Sequence, residues 1–320
     1  MTTAQSAQPG QSASARSGQP AQSAQPAQPG QSASARSGQP AQSAQPAQPA
    51  QAGQSAQPGQ SARSAPSGLY ARTVRGSGPG LLLAHGAGGG IEANYGPILD
   101  GLAARHTVVG VDYPGAGDTP LAGHPLSLDE LADQLVAAAD AEGLDTFALS
   151  GYSLGGPVAV RAAVRHPERV RALVLSATFA RADTRTELAA RIWQELHASG
   201  RHELLAQYLT LLAFSAPALN SLAPQQVQDA VAQVAPTIPA GTGAQVDLVR
   251  RADVSGELAA IAVPTLVIVT AQDELVAPAL QRELAAAIPG ARVAELATGH
   301  LPFAEQPARW LELIEGFLAG

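Results

Sequence analysis

Residues 151–155 read Gly151-Tyr152-Ser153-Leu154-Gly155; the apolar run Thr146-Phe147-Ala148-Leu149-Ser150 precedes them and a stretch of helical character follows. A strand, a sharp turn and a helix therefore meet at one serine, the G-x-S-x-G elbow. So tight a turn holds its central residue at strained φ/ψ, and its neighbours must be nearly free of side chain. Gly151 and Gly155 meet that need, and Gly156 lets the helix pack closely on the strand. The turn lifts the Ser153 hydroxyl above the sheet at a helix N-terminus, where developing negative charge is favoured. With 32 glycines the chain could show this pattern by chance, but the strand before and the helix after set it apart. Ser153 is the expected nucleophile.

Working outward, Leu81-Leu82-Leu83-Ala84 is a short apolar run of the kind that forms a buried parallel strand. Further strands are expected at 106–112, 170–176, 263–270 and 291–296, with helices at 126–142, from the elbow to His166, at 279–287 and at 307–318. Ser127 is the expected N-cap of the 126–142 helix, with Glu130 as its capping-box partner. Strands alternating with helices imply an α/β fold with a doubly wound, mostly parallel sheet. Residues about 178–258 break the alternation with helical patterns at 185–199, 203–214 and 225–234. An insertion at the carboxyl edge of such a sheet sits where ligands bind, so it is expected to be a lid. Trp193, Tyr208 and Phe214 within it belong either to its own core or to an apolar pocket.

A serine hydroxyl needs a base within hydrogen-bond reach and an acid to hold that base. Of seven histidines, His300 follows the last strand and precedes the terminal helix, on a loop that returns to the sheet edge above Ser153. His124, in a loop, is the distant second candidate, and His106, His166, His197 and His202 read as solvated or structural. Asp273 follows the penultimate strand directly, with Glu274 as the neighbouring alternative. An oxyanion needs two converging backbone donors. Leu154 N–H is expected to supply one, and the glycine-rich loop His85-Gly86-Ala87-Gly88-Gly89-Gly90 the other, from Ala87, with adjacent Gly86 as the alternative. The loop is no phosphate cradle of the G-x-x-x-x-G-K-[ST] type, because the chain holds no Lys.

Together with Asp112-Tyr113-Pro114-Gly115-Ala116-Gly117 and Pro264-Thr265-Leu266-Val267, these residues make the body of the chain resemble the α/β-hydrolase superfamily, over essentially all of 68–320. Ser153, Asp273 and His300 stand in the chain order of its triad. Ala271 departs from the usual glycine two residues before the acid. The elbow and the inserted helices look most like the capped group that includes 3-oxoadipate enol-lactonases, C–C bond hydrolases and serine esterases. Ser153 excludes the epoxide hydrolases and haloalkane dehalogenases of this fold, which carry Asp there. The resemblance implies hydrolysis of a small carboxylic ester or lactone through a Ser153 acyl-enzyme, without cofactor or metal. A lyase, synthase, cyclase or C–C hydrolase would use the same residues, and a catalytically silent binding protein would need none of them.

Composition separates residues 1–67 from this body. They hold no acidic and no aromatic residue, and the 20-residue unit at 9–28 recurs identically at 29–48. Alanine is the only apolar side chain the unit offers, too little to offset chain entropy, so a disordered tail is expected. Deleting 1–67 should then leave turnover and melting temperature nearly unchanged; a loss of most activity would show that the tail docks. The tail has no secretory pattern, and no apolar run in the chain reaches the roughly 18 residues that span a bilayer. With no cysteine and a net charge of −7 carried against arginine alone, the expected setting is cytoplasmic, with a small-molecule substrate and neither nucleic acid nor membrane as partner.

Overall fold

In the computed structural model, which describes residue 68 and residues 70–320, the apolar runs become strands covered on both faces. The tail at 1–67 lies outside the described residues. The strands are β1 (Arg72–Arg75), β2 (Gly80–Ala84), β3 (Thr107–Val111), β4 (Phe147–Tyr152), β5 (Val170–Ser176), β6 (Thr265–Thr270) and β7 (Arg292–Leu296), hydrogen-bonded in the order β1-β3-β2-β4-β5-β6-β7. Every pair is parallel except β1 with β3. The helices are α1 (Ile91–Ala103), α2 (Leu128–Ala141), α3 (Gly155–Arg165), α4 (Thr184–Ala198), α5 (His202–Ala213), α6 (Ala216–Ser221), α7 (Pro224–Val234), α8 (Thr242–Arg251), α9 (Pro278–Ala287), α10 (Pro302–Glu305) and α11 (Pro307–Leu318).

The period-2 geometry of β2 splits its residues between two cores. Leu82 and Ala84 join Val109, Leu149 and the buried faces of α2 and α3, while Leu81 and Leu83 join Ile98 of α1 and Trp310 of α11. Helices on both faces hide the central strands, so β2, β3, β4 and β6 read mostly as apolar runs, while the edge strands β1 and β7 are polar and partly exposed. Helices α4 to α8 all lie between β5 and β6. Among the described residues no helix is long and apolar enough to cross a membrane.

The α2 cap forms only in part. Ser127 Oγ accepts the Glu130 N–H at 3.2 Å, but the Glu130 carboxylate turns away to accept the Tyr70 hydroxyl at 2.6 Å. That contact ties the segment before β1 to α2. Five elements went unforeseen in the sequence, the short helices α6 and α10 among them. Strand β1 is Arg-Thr-Val-Arg, too polar and short to stand out; α1 carries Pro97 in its interior; α8 has few apolar positions among polar ones.

Candidate active site

Each candidate group sits just beyond the carboxyl end of a parallel strand. Ser153 follows β4, Asp273 follows β6, His300 follows β7, and the glycine-rich loop follows β2. At the elbow Ser153 has φ 53°, in the left-handed region, a strain of about 1–3 kcal/mol that the surroundings must hold. They do so with its backbone: Ser153 N–H donates to Ser176 C=O at 3.1 Å, and the Thr178 hydroxyl donates to Ser153 C=O at 2.6 Å. A β-carbon at Gly155 would fall on the Ala84 carbonyl, and one at Gly156 on the Thr178 hydroxyl. Both positions therefore demand glycine by close approach.

The structure brings Ser153, His300 and Asp273 into one hydrogen-bonded line. His300 Nε2 lies 3.0 Å from Ser153 Oγ, and His300 Nδ1 lies 2.8 Å from Asp273 Oδ2. All three are buried. Asp273 Oδ1 accepts the N–H groups of Leu275 and Val276 at 2.9 and 2.8 Å, while Oδ2 also accepts the Thr270 hydroxyl and Gln281 Nε2. The His300 loop is pinned on both sides, His300 N–H donating to Ala213 C=O at 2.7 Å and the Tyr152 hydroxyl donating to His300 C=O at 2.9 Å. Burial pushes the Tyr152 phenol well above its ordinary pKa, so it stays a donor. Glu274 points elsewhere, its carboxylate pairing with exposed Arg185 at 3.3 Å. His124 lies exposed beside Glu130, His166 pairs with Asp133, His106 with Glu315, and His197 stacks on His202.

Gln281 was not singled out from the sequence. It is fully buried on α9, where its amide also accepts the Thr270 N–H at 2.9 Å and donates to Val276 C=O at 2.8 Å. It thus fixes both the strand end and the acid loop. Gln281→Leu should lower stability by about 1–3 kcal/mol, since it strands buried partners, and should lower kcat more than it raises KM. An unchanged kcat in the folded variant would remove Gln281 from the positioning of Asp273.

The two backbone donors differ in availability. Gly86 N–H is taken by Asn94 Oδ1 at 2.9 Å and Gly88 N–H by Gln245 Oε1 at 2.9 Å. Ala87 N–H between them, and Leu154 N–H, have no hydrogen-bond partner among the described residues. His85 orients the loop: Tyr113 N–H donates to its Nε2 at 3.0 Å, which leaves the proton on Nδ1 for Gly86 C=O at 2.7 Å. Burial lowers the His85 pKa and keeps the ring neutral, stacked on Tyr113 at 3.9 Å. Asn94 gave no signal in the sequence, because α1 itself went unread. Gln245 gave none, because α8 itself went unread.

Ser153 and His300 open into a cavity of about 440 Å³, within the range of small-molecule sites. Trp193, Leu209, Phe214 and Ile238 of the inserted segment line one side, and Ala87 with Gly88 the other. Trp193 and Phe214 are thus pocket residues, whereas Tyr208 serves the packing of α4 on α5 through its hydroxyl on Ala189 C=O at 3.1 Å. Among the described residues no group of three or more His, Asp or Glu side chains is placed to hold a metal ion.

The sheet order, the elbow and the loop after β2 together define one class of protein, and the model of the alpha/beta hydrolase fold family matches residues 79–307. The chain belongs to that family and is an enzyme of it. It is 35% identical over 251 residues to the pyrrolizixenacetamide deacetylase of Xenorhabdus hominickii, spanning 77% of this chain and 92% of the relative. It is 30% identical over 256 residues to the pimeloyl-[acyl-carrier protein] methyl ester esterase of Aeromonas hydrophila, spanning 76% and 96%. The enol-lactonase from Burkholderia xenovorans LB400 superimposes with TM-score 0.67 at 24% identity, over 78% of this chain and 96% of that one, a likeness of fold.

Proposed function

We propose that the chain is a serine hydrolase that cleaves a small carboxylic ester, lactone or activated amide through a Ser153 acyl-enzyme. The observation that carries the reading is the line Ser153 Oγ–His300 Nε2–Asp273 at 3.0 and 2.8 Å, opening into a closed-in apolar cavity. Ser153 Oγ adds to the substrate carbonyl as its proton passes to His300 Nε2. The carbonyl oxygen becomes an oxyanion between the Ala87 and Leu154 N–H groups, both without another partner among the described residues. Collapse expels the leaving group with the proton from His300 and leaves Ser153 acylated. Water, deprotonated by His300, then attacks the acyl carbon; a second collapse frees the carboxylic acid and returns the proton to Ser153. Asp273 holds the imidazole tautomer and stabilises the imidazolium.

Similarity to a deacetylase and to a methyl ester esterase supports transfer of an acyl group to water. The helices between β5 and β6 act in this reading as a lid, with Trp193, Leu209 and Phe214 excluding bulk water from the acyl-enzyme. A p-nitrophenyl ester of a short acid tests the reading: it should give a burst of nitrophenol close to one per active site, or steady turnover that a serine-directed fluorophosphonate abolishes. Turnover indifferent to the fluorophosphonate would reject it.

A further inference from the structure

The charge of the cavity wall is one-sided. Glu92 and Asp112 line it, while among the described residues no arginine does, and the chain has no lysine. Asp112 Oδ1 accepts the Ile91 N–H at 2.8 Å at the start of α1, and its second oxygen lies against Gly117 without a hydrogen-bond partner among the described residues. Glu92 is exposed and pairs with Arg75 at 3.3 Å, so solvent screens its charge as it screens that of Arg75, and half-buried Asp112 is the less screened carboxylate. The Thr210 and Thr237 hydroxyls that line the cavity donate to Ala206 and Val234 carbonyls of their own helical segments, and the N–H donors of Asn94 and Trp193, which also line it, are neutral. The two free oxyanion donors are reserved for the substrate carbonyl. A second negative group on the substrate would meet carboxylates and, among the described residues that line the cavity, no cation.

We infer that this site takes an acyl compound that is uncharged or cationic and rejects one that bears a carboxylate or phosphate, with Asp112 and Glu92 as the groups that set the preference. The inference rests on the ester-hydrolysis reading above and narrows its substrate. A wall of one sign raises the local concentration of oppositely charged ligands, leaves that of neutral ones nearly unchanged and repels like charge, an effect that salt weakens. The apolar side built by Trp193, Leu209 and Phe214 suits the body of such a compound, and a quaternary ammonium group gains further from an aromatic face.

Three acetate esters of similar size separate the outcomes: 3,3-dimethylbutyl acetate, acetylcholine and 4-acetoxybutanoate, neutral, cationic and anionic in turn. The neutral and cationic esters should exceed the anionic one in kcat/KM by about tenfold or more, and added salt should narrow the gap. The neutral-to-anionic ratio should fall slightly in Glu92→Gln and several-fold in Glu92→Gln/Asp112→Asn, where Asn still offers an oxygen to the Ile91 N–H. Comparable kcat/KM for all three esters, or a ratio unmoved by both variants, would overturn the charge preference and leave ester hydrolysis standing. Turnover of none of the three, with no fluorophosphonate labelling of Ser153, would overturn the hydrolase reading and this inference with it.

Discussion

Ser153→Ala and His300→Ala should each lower kcat/KM by about five to six orders of magnitude, and the double variant by little more. The reason lies in the 3.0 Å contact between His300 Nε2 and Ser153 Oγ. Without the base the hydroxyl keeps its proton, and without the hydroxyl the base has nothing to activate, so each loss already removes the shared step. What survives is the residue of rate supplied by binding and the Ala87 and Leu154 N–H groups. Both variants should stay folded, because Ser153→Ala keeps the backbone bonds to Ser176 and Thr178 and His300→Ala keeps the N–H on Ala213. Strictly additive losses, measured as kcat/KM on one ester, would mean that the two residues do not act on a common proton.

Asp273→Asn should cost about 10⁴-fold in kcat, whereas Glu274→Gln should stay close to the parent. Oδ2 of Asp273 accepts from Thr270, Gln281 and His300 at once. An amide nitrogen placed there meets three donors, and one turned the other way meets the Leu275 and Val276 N–H groups. Neither orientation restores the network, so a stability loss of about 1–3 kcal/mol should accompany the kinetic one. Glu274 touches only exposed Arg185 across the surface, a contact of small worth. A silent Asp273→Asn beside a severe Glu274→Gln would move the acid by one residue.

The parts of this chain legible from sequence are those where local chemistry and fold demand the same residue. The elbow is the clearest case, since strand, glycines and serine occupy consecutive positions and each is needed by the same turn. Strands β2 and β6 were equally legible, as parallel strands buried on both faces read as apolar runs. Long-range contacts were not legible. Gln245 reaches the Gly88 N–H from α8, 157 residues away, and Gln281 holds Asp273 from the next helix; a lone glutamine carries no local sign of either partner. The choice between Ala87 and Gly86 as donor was open for the same reason, because only the fold reveals that Asn94 occupies Gly86. The sequence likewise offered Trp193, Tyr208 and Phe214 as equals, and their sorting into cavity and packing depends on how α4 and α5 meet.

Covalent acylation of Ser153 is the step on which the proposed mechanism stands. Rapid mixing with a slowly deacylating p-nitrophenyl ester, acid quenching within the first turnover and peptide mapping by mass spectrometry measures it directly. The acyl mass should appear on the peptide containing Ser153, approach one per chain before steady state, and be absent from Ser153→Ala. Steady turnover of the ester with that peptide unmodified throughout, or with the acyl mass on another residue, would contradict the account.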